Sequence, residues 1–194
     1  TMRRELLKLT GIRYNVIAET KGGDHDNVIM VGAHTDSVDA GPGINDNGSG
    51  TIGIFEVALK LTAFSVTNAV RFGWWSGEEE GLLGAEYYVA NLPQEEQDKI
   101  RLYLNFDMIA SPNFVYQIYD GDGSAFGISG APGSAEAEKL WEDYFKNDVN
   151  IATEPTAFDG RSDIESIDAE SVAHRVEHVA PDRSSWCEVS ALER

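Results

Sequence analysis

Short apolar runs of strand character alternate along the chain with longer stretches of helical spacing. YNVIAET and VIMVGAH flank the turn KGGDHDN and predict two strands, the second continuous enough to lie centrally in a sheet with His34 at its C-terminal end. GSGTIGIFEVALKLTAF has apolar residues at 52, 55, 59 and 61 with others between, which predicts a helix buried on most sides. AVRFGWWS alternates around Val70, Phe72 and Trp74 as a strand, and GLLGAEYYVANL has helical spacing that stops before Pro93. A short helix QEEQDKI then leads into the strand RLYLNFDMIA, which places Asp107 at another strand's C-terminal end. FVYQIY predicts a further strand, 121–133 a glycine-rich loop, and the stretch from about Ser134 to Asn147 a helix.

Alternating strands and helices predict an α/β sandwich with a mostly parallel sheet. In such folds ligands bind outside the carboxyl ends of the strands. His34, Glu78, Glu79 and Asp107 all fall there, from separate stretches of sequence.

Composition narrows the function. A chain of 194 residues, 42% of them hydrophobic, suits one folded domain with a real core. A net charge of −18 repels phosphate backbones and anionic lipid, so nucleic acid is not an expected partner. No apolar run approaches the ~20 residues of a membrane span, and the opening TMRRELLKLTGIRYNV has no secretory apolar core, so a soluble protein is expected. Cys187, the one cysteine, forms no internal disulfide and says nothing about compartment.

The chemistry lies in the acidic residues around His34. An isolated histidine or aspartate is more often structural, and each has a plain alternative: Asp36 as a strand-end cap, Asp46 as the N-cap of the helix after GINDNGSG, Asp107 as partner to Arg161. Two residues along a strand share a face, so Asp36 is expected to accept a hydrogen bond from one imidazole nitrogen while the other binds metal. Three adjacent carboxylates in WWSGEEEGL repel one another unless a cation neutralises them. A carboxylate within the apolar stretch LNFDMIA is costly unless paired or metal-bound. One histidine with several carboxylates and no cysteine favours a hydrolytic zinc site over a structural one.

HTDSV, GINDNGSG, WWSGEEEGLLGAEYYV, LYLNFDMIASPN and FDGRSD resemble, in order and separation, the successive motifs of the secreted bacterial and fungal two-zinc aminopeptidases of the leucine aminopeptidase type. The resemblance covers about residues 1–163 and implies a three-layer αβα sandwich with a mixed, mostly parallel sheet. It implies that His34 and Asp107 are terminal ligands of one zinc, that Asp46 bridges two, and that Glu79 binds the second. Glu78 is then the general base and Asp36 the carboxylate behind the histidine, with a cis peptide bond expected at Asp46–Asn47. Glu80 stands where the family usually has an apolar residue and is given no role. The implied reaction is two-metal hydrolysis of the N-terminal peptide bond of peptides with a free amine and an apolar first residue, outside the cell.

The resemblance stops where the family supplies its last zinc ligand, a histidine near the C-terminus. None of the 19 glycines lies beyond Gly160, and residues 164–194 read as a divergent tail after a catalytic domain of residues 1–163 that is short at its N-terminus. Three readings stay open. The tail is unrelated to the family's, leaving one zinc and a missing core strand; or His174 or His178, four apart, completes a two-zinc site; or the domain binds metal or protein without efficient catalysis. Related zinc carboxypeptidases, deacylases and glutaminyl cyclases are the enzymatic rivals.

Overall fold

The computed structural model describes residues 12–112, 114–130, 133–157 and 185–193. Seven strands form one sheet: β1 (Val16–Glu19), β2 (Asp24–His34), β3 (Asn68–Trp75), β4 (Ile100–Asp107), β5 (Phe114–Tyr119), β6 (Glu154–Thr156) and β7 (Ser185–Glu193). Their spatial order is β1-β3-β2-β4-β7-β5-β6. β3, β2, β4 and β7 are mutually parallel, whereas β1 pairs antiparallel with β3, and β5 antiparallel with β7. The mixed, mostly parallel α/β sandwich is therefore present, and the parallel strands end together along one edge.

Two helices sandwich the sheet's centre. α1 (Gly48–Leu61) and α2 (Leu83–Asn91) lie on opposite faces, because alternate residues of β2 enter different clusters. Met30 packs with Trp75, Tyr103, Ala85 and Val89 on the α2 side. Val31 and Ala33 pack with Phe72, Trp74 and Ile54 on the α1 side. Burial of β2 on both faces explains its near-continuous apolar run. At Gly32 a side chain would overlap the Tyr103 hydroxyl and the Trp75 indole, whose Nε1 donates to that hydroxyl at 2.8 Å. Aromatic packing on this face thus requires glycine in the middle of the strand.

Most elements fall where the sequence pattern places them, and the differences have local causes. The strand expected through Ala110 ends at Asp107, since Met108 turns the chain with φ +50°. The segment 94–100 yields one helical turn, α3 (Gln94–Gln97), before β4 begins. The helix from Ser134 is α4 (Ser134–Asp143), prolonged by a π-helical turn at Tyr144–Asp148. β6 and β7 were not expected from the pattern. β7 lies between β4 and β5, so residues of the C-terminal stretch supply an inner strand, unlike the reading in which the tail leaves a core strand missing. Among the described residues no helix is long and apolar enough to cross a membrane.

α1 also departs from expectation. Ile54 is 1% exposed, but Ile52 is 68% and Phe55 52% exposed, so the helix is buried on one side and presents an apolar outer face. Among the described residues, only the face toward the sheet has a layer to pack against. Ile54→Ala should accordingly cost about 2–4 kcal/mol in urea unfolding, while Ile52→Ala should cost less than about 0.5 kcal/mol. Equal costs would contradict this orientation.

Candidate metal centre

The parallel strands deliver their C-terminal residues to one place. His34 closes β2, is 0% exposed, and has its carbonyl oxygen fixed by the Thr51 hydroxyl of α1 at 2.7 Å. Its Nε2 lies 3.2 Å from Asp46 Oδ1, 3.4 Å from Asp107 Oδ1 and 3.8 Å from Glu78 Oε2. That nitrogen is buried and makes no hydrogen bond. On the other side of the ring, Nδ1 meets the Asp36 main-chain oxygen at 3.2 Å. A proton on Nδ1 serves that carbonyl and turns the Nε2 lone pair toward the carboxylates.

Asp36 works differently from the expected imidazole acceptor. β2 ends at His34, so the two residues do not share a strand face. The Asp36 carboxylate stands 3.6 Å from Nδ1 and accepts instead from the main-chain N–H groups of Gly77 at 2.8 Å, Glu78 at 3.1 Å and Glu79 at 3.3 Å. It thereby clamps the turn after β3 that carries the glutamates. Burial pushes its carboxyl up, but His34 and these N–H donors outweigh that and hold it at about 2.

Asp46 is not the helix cap. Asn47 caps α1, its Oδ1 accepting from Gly50 N at 2.9 Å while its Nδ2 donates to the Phe106 carbonyl at 2.9 Å. The Asp46–Asn47 peptide bond is cis, as the resemblance implied. Asn45 extends the stitching: its Nδ2 donates to Ser111 Oγ at 2.7 Å, and its Oδ1 accepts from Ala110 N at 3.1 Å. The two asparagines bind the loop before α1 to the end of β4, and so hold Asp46 and Asp107 on one histidine nitrogen. Sequence reasoning credits the asparagines of GINDNGSG with permitting unusual backbone geometry around Asp46 and misses their side-chain bonds to the end of β4.

The glutamates divide by environment. Burial pushes the Glu78 carboxyl up to about 7, the Asp107, Glu79 and Asp46 carboxylates acting in the same direction against the pull of His34. Glu79 is raised as well, first by burial and next by Asp46, and its Oε1 accepts from Val38 N at 3.2 Å. Glu80 turns away to pair with Arg13 Nη2 at 2.6 Å, consistent with its having no part in the site.

Burial alone would lower the His34 pKa, yet the Asp107, Asp36 and Asp46 carboxylates reverse this and drive it well above the usual imidazole range. The cluster therefore demands positive charge at Nε2, which a metal cation supplies without a proton. His34, Glu78 and Asp107 each offer a ligand atom within 4.8 Å of the others, and Asp46 Oδ1 adjoins them. One imidazole with carboxylates suits a first-row divalent ion such as zinc. His174, His178 and Arg161 lie outside the described residues.

The chain and its fold have relatives. The sequence profile of peptidase family M28 matches residues 15–179, and the chain belongs to that family. It is 67% identical over 150 residues to leucine aminopeptidase 2 of Arthroderma otae and 66% identical over 150 residues to leucine aminopeptidase 2 of Trichophyton rubrum. Each match covers 77% of this chain and 30% of the relative, so the chain spans less than a third of the length of these proteins. Among solved structures, the aminopeptidase from Aneurinibacillus sp. strain AM-1 superposes with a TM-score of 0.70 at 24% identity, over 91% of this chain and 39% of that one. An Acidobacteriales bacterium glutaminyl cyclase gives 0.66 at 18% identity, over 90% and 57%. These superpositions establish a shared fold.

The pKa of Glu78 gives a pH test on metal-free protein. A carboxyl raised from 4.5 to about 7 on folding contributes stability that is complete below pH 4.5 and is lost as pH rises through 7. Urea unfolding with chelator should show stability falling from about pH 5 to pH 7, with Glu78→Gln removing on the order of 1–3 kcal/mol of that fall. An identical pH slope in the variant would contradict this environment for Glu78.

Proposed function

We propose that this chain is the catalytic part of a zinc aminopeptidase that releases apolar N-terminal residues from peptides, acting outside the cell. The observation that carries the proposal is the buried His34 Nε2, which faces Asp46, Asp107 and Glu78 without a hydrogen bond at the strand ends of a family M28 chain. The names of the fungal relatives support the substrate class. Secretion follows from the family resemblance.

In this reading His34, Asp46 and Asp107 would hold one zinc, and Glu79 would help hold a second together with a histidine from outside the described residues. Bound zinc supplies Lewis acidity, polarising the scissile carbonyl and making water a stronger acid. Glu78 does the proton work. Its carboxylate, set beside the ligands, takes a proton from the attacking water and returns it to the leaving amine. Asp36 acts through position: its grip on the N–H groups of residues 77–79 keeps the Glu78 and Glu79 carboxylates turned toward the ligands. Negative charge around the cluster favours a substrate whose free α-amine is protonated, which restricts cleavage to the first residue.

Turnover of leucine p-nitroanilide, compared with its amine-blocked analogue, tests the proposal. The zinc-loaded protein should cleave only the free-amine substrate, and Glu78→Ala should lower kcat by about 10²–10⁴-fold with zinc content unchanged. Equal rates on both substrates, or activity untouched by the substitution, would overturn it.

A further inference from the structure

A second group of acids converges on the far side of β4, where β5 gives way to the glycine-rich loop. Asp120 follows β5 directly and is 1% exposed, Asp122 is exposed, and Glu138 on α4 is 8% exposed. Each offers an oxygen within 4.8 Å of the others. Main-chain donors take up only part of their capacity: Asp120 Oδ2 accepts from Ala125 N at 3.1 Å and Phe126 N at 2.8 Å, Asp122 Oδ1 from Ser124 N at 2.7 Å, and Glu138 Oε2 from Asp122 N at 3.0 Å.

Two buried polar atoms at this junction are left without a hydrogen-bond partner. Asp120 Oδ1 is buried with no hydrogen-bond partner. The same holds for Ser134 Oγ, on a residue 2% exposed that lies one turn before Glu138 on the same face of α4, its backbone pressed against Gly121. Among the described residues no lysine, arginine or histidine forms an ion pair with these acids, and the adjacent Lys139 is engaged with Asp143 at 2.8 Å. A buried carboxylate oxygen with neither donor nor counter-charge is costly. A cation at the point where the three acids meet removes that cost.

We propose that Asp120, Asp122 and Glu138 form a second cation site, separate from the strand-end cluster, that takes a hard divalent ion of the calcium type. Every ligand atom on offer is oxygen, with neither imidazole nor thiolate, which selects calcium over zinc. The ion ties the loop after β5 to the N-terminal half of α4, two segments joined otherwise by the Asp122 N–H to Glu138 bond and the close approach of Gly121 to Ser134. Its role is structural, and it does not depend on the zinc reading.

Equilibrium dialysis of the chelator-stripped, zinc-reloaded chain against calcium up to about 1 mM, the weak end of calcium affinities, with metal content read by elemental analysis, tests this. One calcium per chain should be retained, and His34→Ala should retain it equally. Asp122→Asn keeps the oxygen that accepts from Ser124 N, so folding should survive, but calcium affinity should drop at least tenfold, as it should in Glu138→Gln. No retained calcium in the unmodified chain would mean that these acids share protons instead, and would overturn the proposal. So would Asp122→Asn binding within twofold of the unmodified chain, or calcium lost in His34→Ala and kept in Asp122→Asn.

Discussion

A buried imidazole nitrogen facing three carboxylates is the constraint around which this structure is arranged. Asp46, Asp107 and Glu78 each come within 3.2–3.8 Å of His34 Nε2, which is itself shut off from water. Without a cation the acids repel and the ring must carry a proton to hold them together. With one, the same repulsion becomes a set of ligands. Much of the surrounding architecture serves to keep those four groups from separating.

That support comes from polar side chains that touch no substrate. Asn47 and Asn45 stitch the loop before α1 to the end of β4, and Asp36 gathers three N–H groups of the turn after β3. The sheet provides the frame, because β2, β3 and β4 are parallel and in register, with His34 opposite Trp75 and Gly32 opposite Asn105. Parallel strands end on the same edge, so one residue from each strand end or the turn after it suffices to build a convergent cluster. Trp75 and Tyr103, hydrogen-bonded to each other across β2 beneath Gly32, tie β3 to β4 on one face of the sheet.

Strand and helix periodicity made most of this fold legible. The apolar runs of β2, β3 and β4 and the helical spacing of α2 name themselves, and the position of His34 and Asp107 at strand ends follows from where those runs stop. The details that failed are those in which tertiary context decides. α1 carries apolar residues all round, and spacing alone does not tell that only Ile54's side meets the sheet while Ile52 faces outward. Asp36 and His34 are two apart, which suggested a shared face, but the strand ends between them and the carboxylate finds main-chain donors from a segment 41 residues away. β7 was missed because its pairing with β4 and β5 is made across long stretches of chain, and nothing local in SWCEVSALE announces an inner strand. Asp122 and Glu138 were read only as parts of a loop and a helix and Asp120 was given no place, because a cluster assembled from a loop and a helix sixteen or more residues apart is invisible to spacing.

A metal bound at His34 is the centre of this molecule's chemistry, and its most direct test is the zinc content of the purified chain after dialysis against a weak chelator, measured by elemental analysis beside His34→Ala and Asp107→Asn. At least one zinc per chain should remain in the unmodified protein, rising to two if a histidine outside the described residues completes the second position, and both variants should lose the first. Zinc absent from the unmodified chain after supplementation, or retained equally by His34→Ala, would contradict the central claim.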